Sequence, residues 1–431
     1  MLLIFTHKIT NRLSYTARQI FEKILGIDIT FTTKVEDFIK HSGPKITYSK
    51  QPLQNEFFIR SNDLLFEQGI NDFNIKISDW DGIPCFFSTD AKSAVPFDVF
   101  SASFFLLSRY EEYLPHVKDS LGRFPAQESI AVQNHFLELP VVDLWAYKLL
   151  GTLKEVFPNI EHKKKAYRFT SIINVTTSHC YAFRGLVRNI GGFFYDLGRF
   201  KLKRLASRIS VLLGFKKDPF DNFNELVEIH KKFPIKTMFF FQFAKYSEHD
   251  KNISPNNNRF RYLIKSVADY SAVSLSSSFL SSSDKKALKE EKQALANLIN
   301  RPVNYARLRY NKVNIPITYR NLIETEFTDD YSMGYTHEIG FRAGTCTPFY
   351  FYDMNMEVRQ PLMIHPFAIH DYSLVHFKRK EEAFAKMDGI YKSVKQVNGE
   401  LTTIFSNELL GSKHKIEWME LYQSFLRRYY V

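Results

Sequence analysis

Apolar residues in this chain change their spacing again and again. Runs with every second residue apolar, as a half-buried strand requires, alternate with stretches spaced by three and four, as a helix requires. Leu2–Thr6, Ile29–Thr32, Phe57–Ile59 and Ile75–Ile77 read as strands. Leu13–Leu25 places Ile20, Phe21, Ile24 and Leu25 on one helical stripe before Gly26 stops it. Val99–Glu112 repeats Phe100, Phe104 and Leu107 before Pro115, and Val142–Val156 repeats Leu144, Leu149, Leu153 and Val156. After this the strand-like runs Tyr167–Val175, Ile235–Phe243, Ile339–Ala343 and Leu362–Ile364 alternate with a glycine-containing segment and the helices Arg199–Leu213 and Lys285–Ile299. The class is α/β, and the second part has the rhythm of a β/α barrel. At 431 residues the chain exceeds one ordinary domain. The charge run Glu161-His-Lys-Lys-Lys165 reads as a solvated linker, so an N-terminal α/β domain over 1–163 and a barrel over 164–431 are expected.

Hydrophobic residues at 45% and charged ones at 24% allow a real core and exclude disorder as the main state. Cys85, Cys180 and Cys346 are odd in number and far apart, which offers neither a disulfide framework nor a metal clip and fits a reducing, cytoplasmic setting. The start, Met1-Leu-Leu-Ile-Phe-Thr, is too short for a secretory apolar region and reads as a strand. No apolar run approaches the ~20 residues that cross a bilayer, so no transmembrane segment is expected. A net charge of +12 attracts polyanions without identifying one. Much of it lies in Arg199–Leu213, where Arg199, Lys201, Lys203, Arg204 and Arg208 oppose the stripe Leu202, Leu205, Ile209 and Leu212. The expectation is a helix docked by that stripe with its basic face in water; a membrane-surface helix is the other reading.

Serine-hydrolase elbows, phosphate-binding glycine loops, dinucleotide fingerprints and the zinc-peptidase string are absent from the sequence. His365 and His370 are five apart, a spacing that separates the rings on a strand or a helix unless the chain bends after Pro366. His179 beside Cys180 supplies two ligands, too few for a metal site.

Several strings carry a resemblance: Pro96-Phe-Asp-Val-Phe100, Leu107-Ser-Arg-Tyr-Glu-Glu-Tyr-Leu-Pro115, Gly122-Arg-Phe124, Asp218-Pro-Phe-Asp221, Asp250-Lys-Asn252, Asp330-Tyr-Ser-Met-Gly-Tyr335 and Gly340-Phe-Arg-Ala-Gly-Thr345. They resemble those of a bacterial family of polysaccharide deacetylase-like proteins with an extra N-terminal α/β domain. The resemblance implies a distorted NodB-type (β/α) barrel, similar to esterases that remove acetyl groups from polysaccharides. In that chemistry a divalent metal held by a carboxylate and two imidazoles activates water, a second carboxylate takes the proton, and a histidine protonates the leaving group.

Aligned on those strings, this chain lacks the reacting groups. Val175-Thr-Thr-Ser-His-Cys-Tyr-Ala-Phe183 puts Thr176 and Ser178 where the family has its two carboxylates. Ser274-Leu-Ser-Ser-Ser-Phe279 puts Ser276 at a metal-imidazole position, and Phe405-Ser-Asn407 puts Ser406 at the general acid. Arg307-Leu-Arg-Tyr310 puts Arg309, beside Tyr310, in place of another cleft histidine. Neutral hydroxyls are weak ligands for Zn and poor bases, so no tight metal and no cofactor are expected. Arg342 survives without its carboxylate partner, and a buried guanidinium needs an anion; another carboxylate, with Asp371 the best candidate, or an anionic ligand is the expected partner.

The resulting expectation is a two-domain protein, catalytically silent, whose cleft binds carbohydrate or serves assembly in cell-surface polysaccharide metabolism. Two other readings stay open. One is an active deacetylase with a zinc-type centre rebuilt from His179, His365, His370 and Asp371. The other is a basic module that binds polyanions through Arg199–Lys217, although nucleic acid is not the expected partner.

Overall fold

The computed structural model describes residues 1–233, 235–412 and 417–430. Its first sheet is parallel and four-stranded, with β1 (Leu2–Phe5) between β2 (Ile29–Thr32) and β3 (Lys45–Ser49), and β4 (Phe58–Arg60) outside β3. The helix Asn11–Arg18 tightens into a π-type coil, Gln19–Leu25, and Gly26 ends it at φ 67°. A Cβ at Gly26 would fall 2.7 Å from the Lys163 carbonyl oxygen, while the Lys163 amide donates to the Gly26 carbonyl at 3.1 Å. The helix stop therefore also anchors the linker.

Three expectations about local structure fail for identifiable reasons. Ile75–Ile77 is not a strand; the hairpin is β5 (Ser78–Trp80) with β6 (Ile83–Cys85), turned by Asp81-Gly82 with both residues at positive φ. The helix from Val99 ends at Leu107, because Arg109 takes φ 55° to carry its guanidinium inward. Ile339–Ala343 is a loop: Gly340, at φ 131°, has the Leu137 carbonyl where a Cβ would sit, and the Phe341 amide donates to that carbonyl at 2.7 Å. Packing against the N-terminal half takes the place of strand pairing.

The second sheet has nine strands: β7 (Arg168–Val175), β8 (Lys236–Gln242), β9 (Ala272–Ser276), β10 (Tyr305–Arg307), β11 (Asp329–Asp330), β12 (Phe349–Asp353), β13 (Val358–Ile364), β14 (Ile369–His370) and β15 (Glu400–Ser406). Their order is β12-β13-β11-β10-β9-β8-β7-β15-β14, parallel except for β12 against β13. Residues 365–368 cross the gap between its two sides. The His365 and Phe367 amides donate to Asp330 and Met333, and the Ala368 amide donates to Thr402. Ile172, Met238, Phe240, Tyr331, Phe367 and Ile404 form one buried cluster, with the Phe240 and Tyr331 rings 5.6 Å apart. Strands that are distant in the sheet meet inside it, so the sheet curls on itself. The alternate residues Ile173, Val175, Phe239 and Phe241 point outward into the main core. Burial on both faces explains why Met238–Phe241 is continuously apolar.

Between β7 and β8 stands a helical hairpin, Leu186–Gly198 and Leu202–Leu212. Its first helix falls in the glycine-containing segment. The apolar stripe of the second does not dock as expected: Leu202 is 63% exposed, and Ile209 and Leu212 are also exposed.

Candidate functional site

The C-terminal ends of the barrel strands bring a set of polar side chains to one mouth. Cross-strand register fixes them: Ser406, last in β15, pairs with Asn174; Gln242, last in β8, pairs with Ser276, last in β9; and Ser276 pairs with Arg307, last in β10. Inward-facing residues alternate with the outward core positions, so the pleat turns these groups to the interior. Thr176 and Ser178 follow immediately after β7.

Each predicted hydroxyl but Ser276 has a named partner. Thr176 Oγ1 donates to Glu408 at 2.5 Å. Ser178 is fully buried, its amide and hydroxyl both donating to Asn252 Oδ1. The Ser406 amide and hydroxyl donate to Asp371 Oδ2 at 2.6 Å each, and Ser406 Oγ caps the short helix that follows by accepting from the Leu409 amide. Ser276 is buried at the end of its strand. The carboxylates that reach the mouth are similarly engaged. Asp371 also accepts from the Tyr372 amide and lies 2.8 Å from His370 Nδ1. Asp250 accepts from Gln242, from the Ser247 hydroxyl and from the Phe279 amide. Burial pushes the Glu408 carboxyl above the usual range, against the Thr176 hydrogen bond and the field of Arg309. Burial also holds the His370 imidazole below its ordinary value, although Asp371 pulls the other way.

Arg309 and Tyr310 stand at the rim. Arg309 Nη2 donates to the His249 carbonyl at 3.1 Å, and its guanidinium lies over the Tyr310 ring at 4.3 Å. Deeper inside is a residue that the motif resemblance does not single out. Arg307 is 2% exposed, its Nη1 donates to the Tyr331 carbonyl at 2.9 Å, and its Nε has no hydrogen-bond partner among the described residues. Burial pulls the guanidinium down to about 10, against the fields of Asp330 and Asp371. Arg307-Leu-Arg-Tyr310 spaces two guanidiniums by two, the period of one strand face, although β10 stops at Arg307 and Arg309 opens a short 3-10 turn.

Two expectations are corrected. Arg342 does not pair with Asp371; it makes a bidentate bridge to Glu112, Nε to Oε1 at 2.9 Å and Nη2 to Oε2 at 2.7 Å. Arg109 bonds Glu112 and Glu111, and its Nη1 donates to the Arg342 carbonyl. The strings Leu107–Pro115 and Gly340–Thr345 thus hold each other, joining the N-terminal half to the barrel. Nor do His179, His365, His370 and Asp371 converge. His365 lies at the opposite end of the barrel, 2.7 Å from Asp329, 4.0 Å from Glu400 at the start of β15 and stacked on Tyr331. His370 and Asp371 are at the mouth. His179 is beside Ser178, 3.2 Å from its hydroxyl. Among the described residues no group of three His, Cys, Asp or Glu is placed to hold a metal ion.

Residues 2–158 match a family described only as a family of unknown function, DUF7033. No curated protein matches the chain. Among solved structures, the chain is similar to a protein titled a putative polysaccharide deacetylase from Mycobacterium smegmatis, 12% identical, covering 62% of this chain and 85% of that one at a TM-score of 0.41. The polysaccharide deacetylase of Bacillus cereus is 13% identical over 62% and 88% at 0.30, and Puue allantoinase is 11% identical over 61% and 84% at 0.39. Likenesses of this size carry no chemistry across.

Proposed function

We propose that this chain is a polysaccharide deacetylase-like protein without acetyl-removing chemistry, whose barrel mouth binds a carbohydrate bearing an anionic group. One observation carries the reading. Where the motif resemblance calls for metal ligands and a base, Thr176, Ser178, Ser276 and Ser406 supply hydroxyls, and they stand at the mouth beside the unpartnered Nε of Arg307. A hydroxyl already donating to Glu408 or Asp371 is neither a base nor a tight ligand for a divalent ion. Hydroxyls, amides and a guanidinium with a free donor are the groups that sugars and their carboxylate, sulfate or phosphate substituents use. The same resemblance suggests a division into an N-terminal unit over 1–163 and a barrel over 164–431, with a role in cell-surface polysaccharide metabolism.

The test has two arms. Incubation of the purified protein with acetylated chitin oligosaccharides, with and without added zinc or cobalt, should release no acetate. Glucuronate or inorganic sulfate should raise the melting temperature, whereas neutral glucose at the same concentration should not. Metal-dependent acetate release would instead establish an active deacetylase, and identical responses to charged and neutral sugars would remove the anionic specificity.

A further inference from the structure

The hairpin between β7 and β8 is built inside out. On Leu186–Gly198 the residues Val187, Ile190, Phe194 and Leu197 recur at the spacing of one helical face, and all four are exposed, Val187 to 85%. The opposite face carries Asn189, Gly192 and Asp196, and it is this polar face that meets the second helix. Arg208 of Leu202–Leu212 bridges to the buried Asp196 at 2.7 Å and to Asn189 at 3.3 Å. Phe200, in the bend, is 85% exposed, and the second helix adds its own outward stripe. None of the residues from 186 to 217 belongs to any hydrophobic cluster of the described residues. A soluble helix pair would turn these stripes inward.

The same segment concentrates the charge. Residues 184–217 hold nine of the Lys and Arg side chains and one acid, Asp196, so they carry eight of the chain's twelve net positive charges. We infer that this hairpin is a docking surface for a membrane rich in anionic lipid. The basic residues, Lys203 and Arg204 among them, would meet the headgroups, and the apolar stripes would enter the acyl boundary. Thirteen helical residues span only ~20 Å, less than the ~30 Å of a bilayer core, so the helices lie in the surface and do not cross it. Charge selects this occupant over the others. A second copy of the hairpin would set nine basic groups against nine, and nucleic acid would leave the apolar stripes in water. The hairpin rises from the C-terminal end of β7, and Arg188 donates to the Asn252 carbonyl beside the mouth, so docking would hold the mouth near the membrane. The inference does not depend on what the mouth binds.

Cosedimentation of the full chain with vesicles tests it. Vesicles of phosphatidylcholine with about a quarter phosphatidylglycerol should bind the protein at least ~10-fold more tightly than phosphatidylcholine alone. Val187→Ser with Phe194→Ser should abolish that binding at every salt concentration. Lys203→Glu with Arg204→Glu should remove only the preference for the anionic lipid. All four side chains face solvent, so the melting curves of both variants should overlay the parent's. Equal binding to both vesicles, or no loss in the serine variant, would overturn the proposal. A salt-insensitive dimer in light scattering that the serine variant dissolves, without vesicle binding, would overturn it in favour of self-association.

Discussion

Two guanidiniums are buried to the same degree, 2% exposed each, and the molecule treats them in opposite ways. Arg342, at the junction of the two halves, is enclosed by Glu112 and a second cation, Arg109, which brings Glu111. Although burial opposes the charge, Glu112 holds Arg342 above its ordinary value, and Arg342 with Arg109 holds Glu112 below its own. Arg307, at the barrel mouth, has a carbonyl and an idle Nε, and burial prevails over the more remote acids. A buried charge that only joins two surfaces is matched within the fold. A buried charge with an unused donor is what a site for an incoming anion requires.

The contrast breaks most easily at the junction. Glu112→Gln would leave Arg342 without its bidentate carboxylate, and a loss of about 3–5 kcal/mol in urea denaturation is expected, the cost of one uncompensated buried charge. The pH profile gives the sign independently. Because the folded-state value of Glu112 lies below the ordinary 4.5, its contribution is present above that pH and is lost as the pH falls through the folded value. The variant should therefore show a flatter acid limb than the parent. A loss under about 1 kcal/mol would mean that the junction does not need its anion.

The mouth side predicts the reverse pH dependence. Glu291 accepts from the Ser278 amide at 3.0 Å and the Ser281 hydroxyl at 2.9 Å, below the end of β9, and burial pushes its carboxyl up to about 7 against those bonds. A raised carboxyl keeps its proton in the folded state, so stability falls as the pH rises from about 4.5 to about 7. Glu291→Gln keeps an acceptor for both donors and cannot ionise. It should remove that fall and gain on the order of 1–3 kcal/mol at neutral pH, read as denaturation midpoints at pH 5 and pH 8. Equal profiles for variant and parent would mean that the site is wetter than its burial implies.

Much of this arrangement was legible in the sequence, and the misses have physical causes. Ile29–Thr32 and Lys285–Ile299 have the bounds expected of them because spacing and caps agree: Asp284 accepts from the Lys286 and Ala287 amides to open the second. β15, Glu400–Ser406, has no clear strand signal because Thr402 and Thr403 interrupt its apolar run, although both are buried within the sheet. Ile339–Ala343 has strand-like spacing, yet no strand forms, since the Phe341 amide goes to the Leu137 carbonyl and the Gly340 amide to the Ala368 carbonyl. Order in a string picks out the four hydroxyls but not their register: which strand lies beside which is decided by the curl of the sheet. Arg342 was rightly expected to need an anion, but its partner lies 230 residues back, a distance over which no local pattern reaches. The hairpin stripe exists but does not dock, because periodicity says that a face exists and not what covers it.

Arg307→Met carries the smallest expected change in stability and the sharpest change in binding. Methionine fills much of the same volume, needs no partner and removes a charge whose Nε makes no hydrogen bond, so the urea midpoint should stay within about 1 kcal/mol of the parent or rise. The sign is the point: the same kind of change at Arg342, Arg342→Met, would remove the bidentate partner of Glu112, leave two buried carboxylates, Glu111 and Glu112, sharing the single cation Arg109, and should cost several kcal/mol. The stabilisation by sulfate or glucuronate should disappear in Arg307→Met and persist in Arg309→Met, whose guanidinium lies at the rim over Tyr310 and, although its Nε also lacks a hydrogen bond, already faces the Asp250 carboxylate at 3.8 Å. If Arg307→Met destabilises the barrel as strongly as Arg342→Met, then Arg307 is a structural cation like its counterpart. The mouth would then owe its selectivity to the hydroxyls alone.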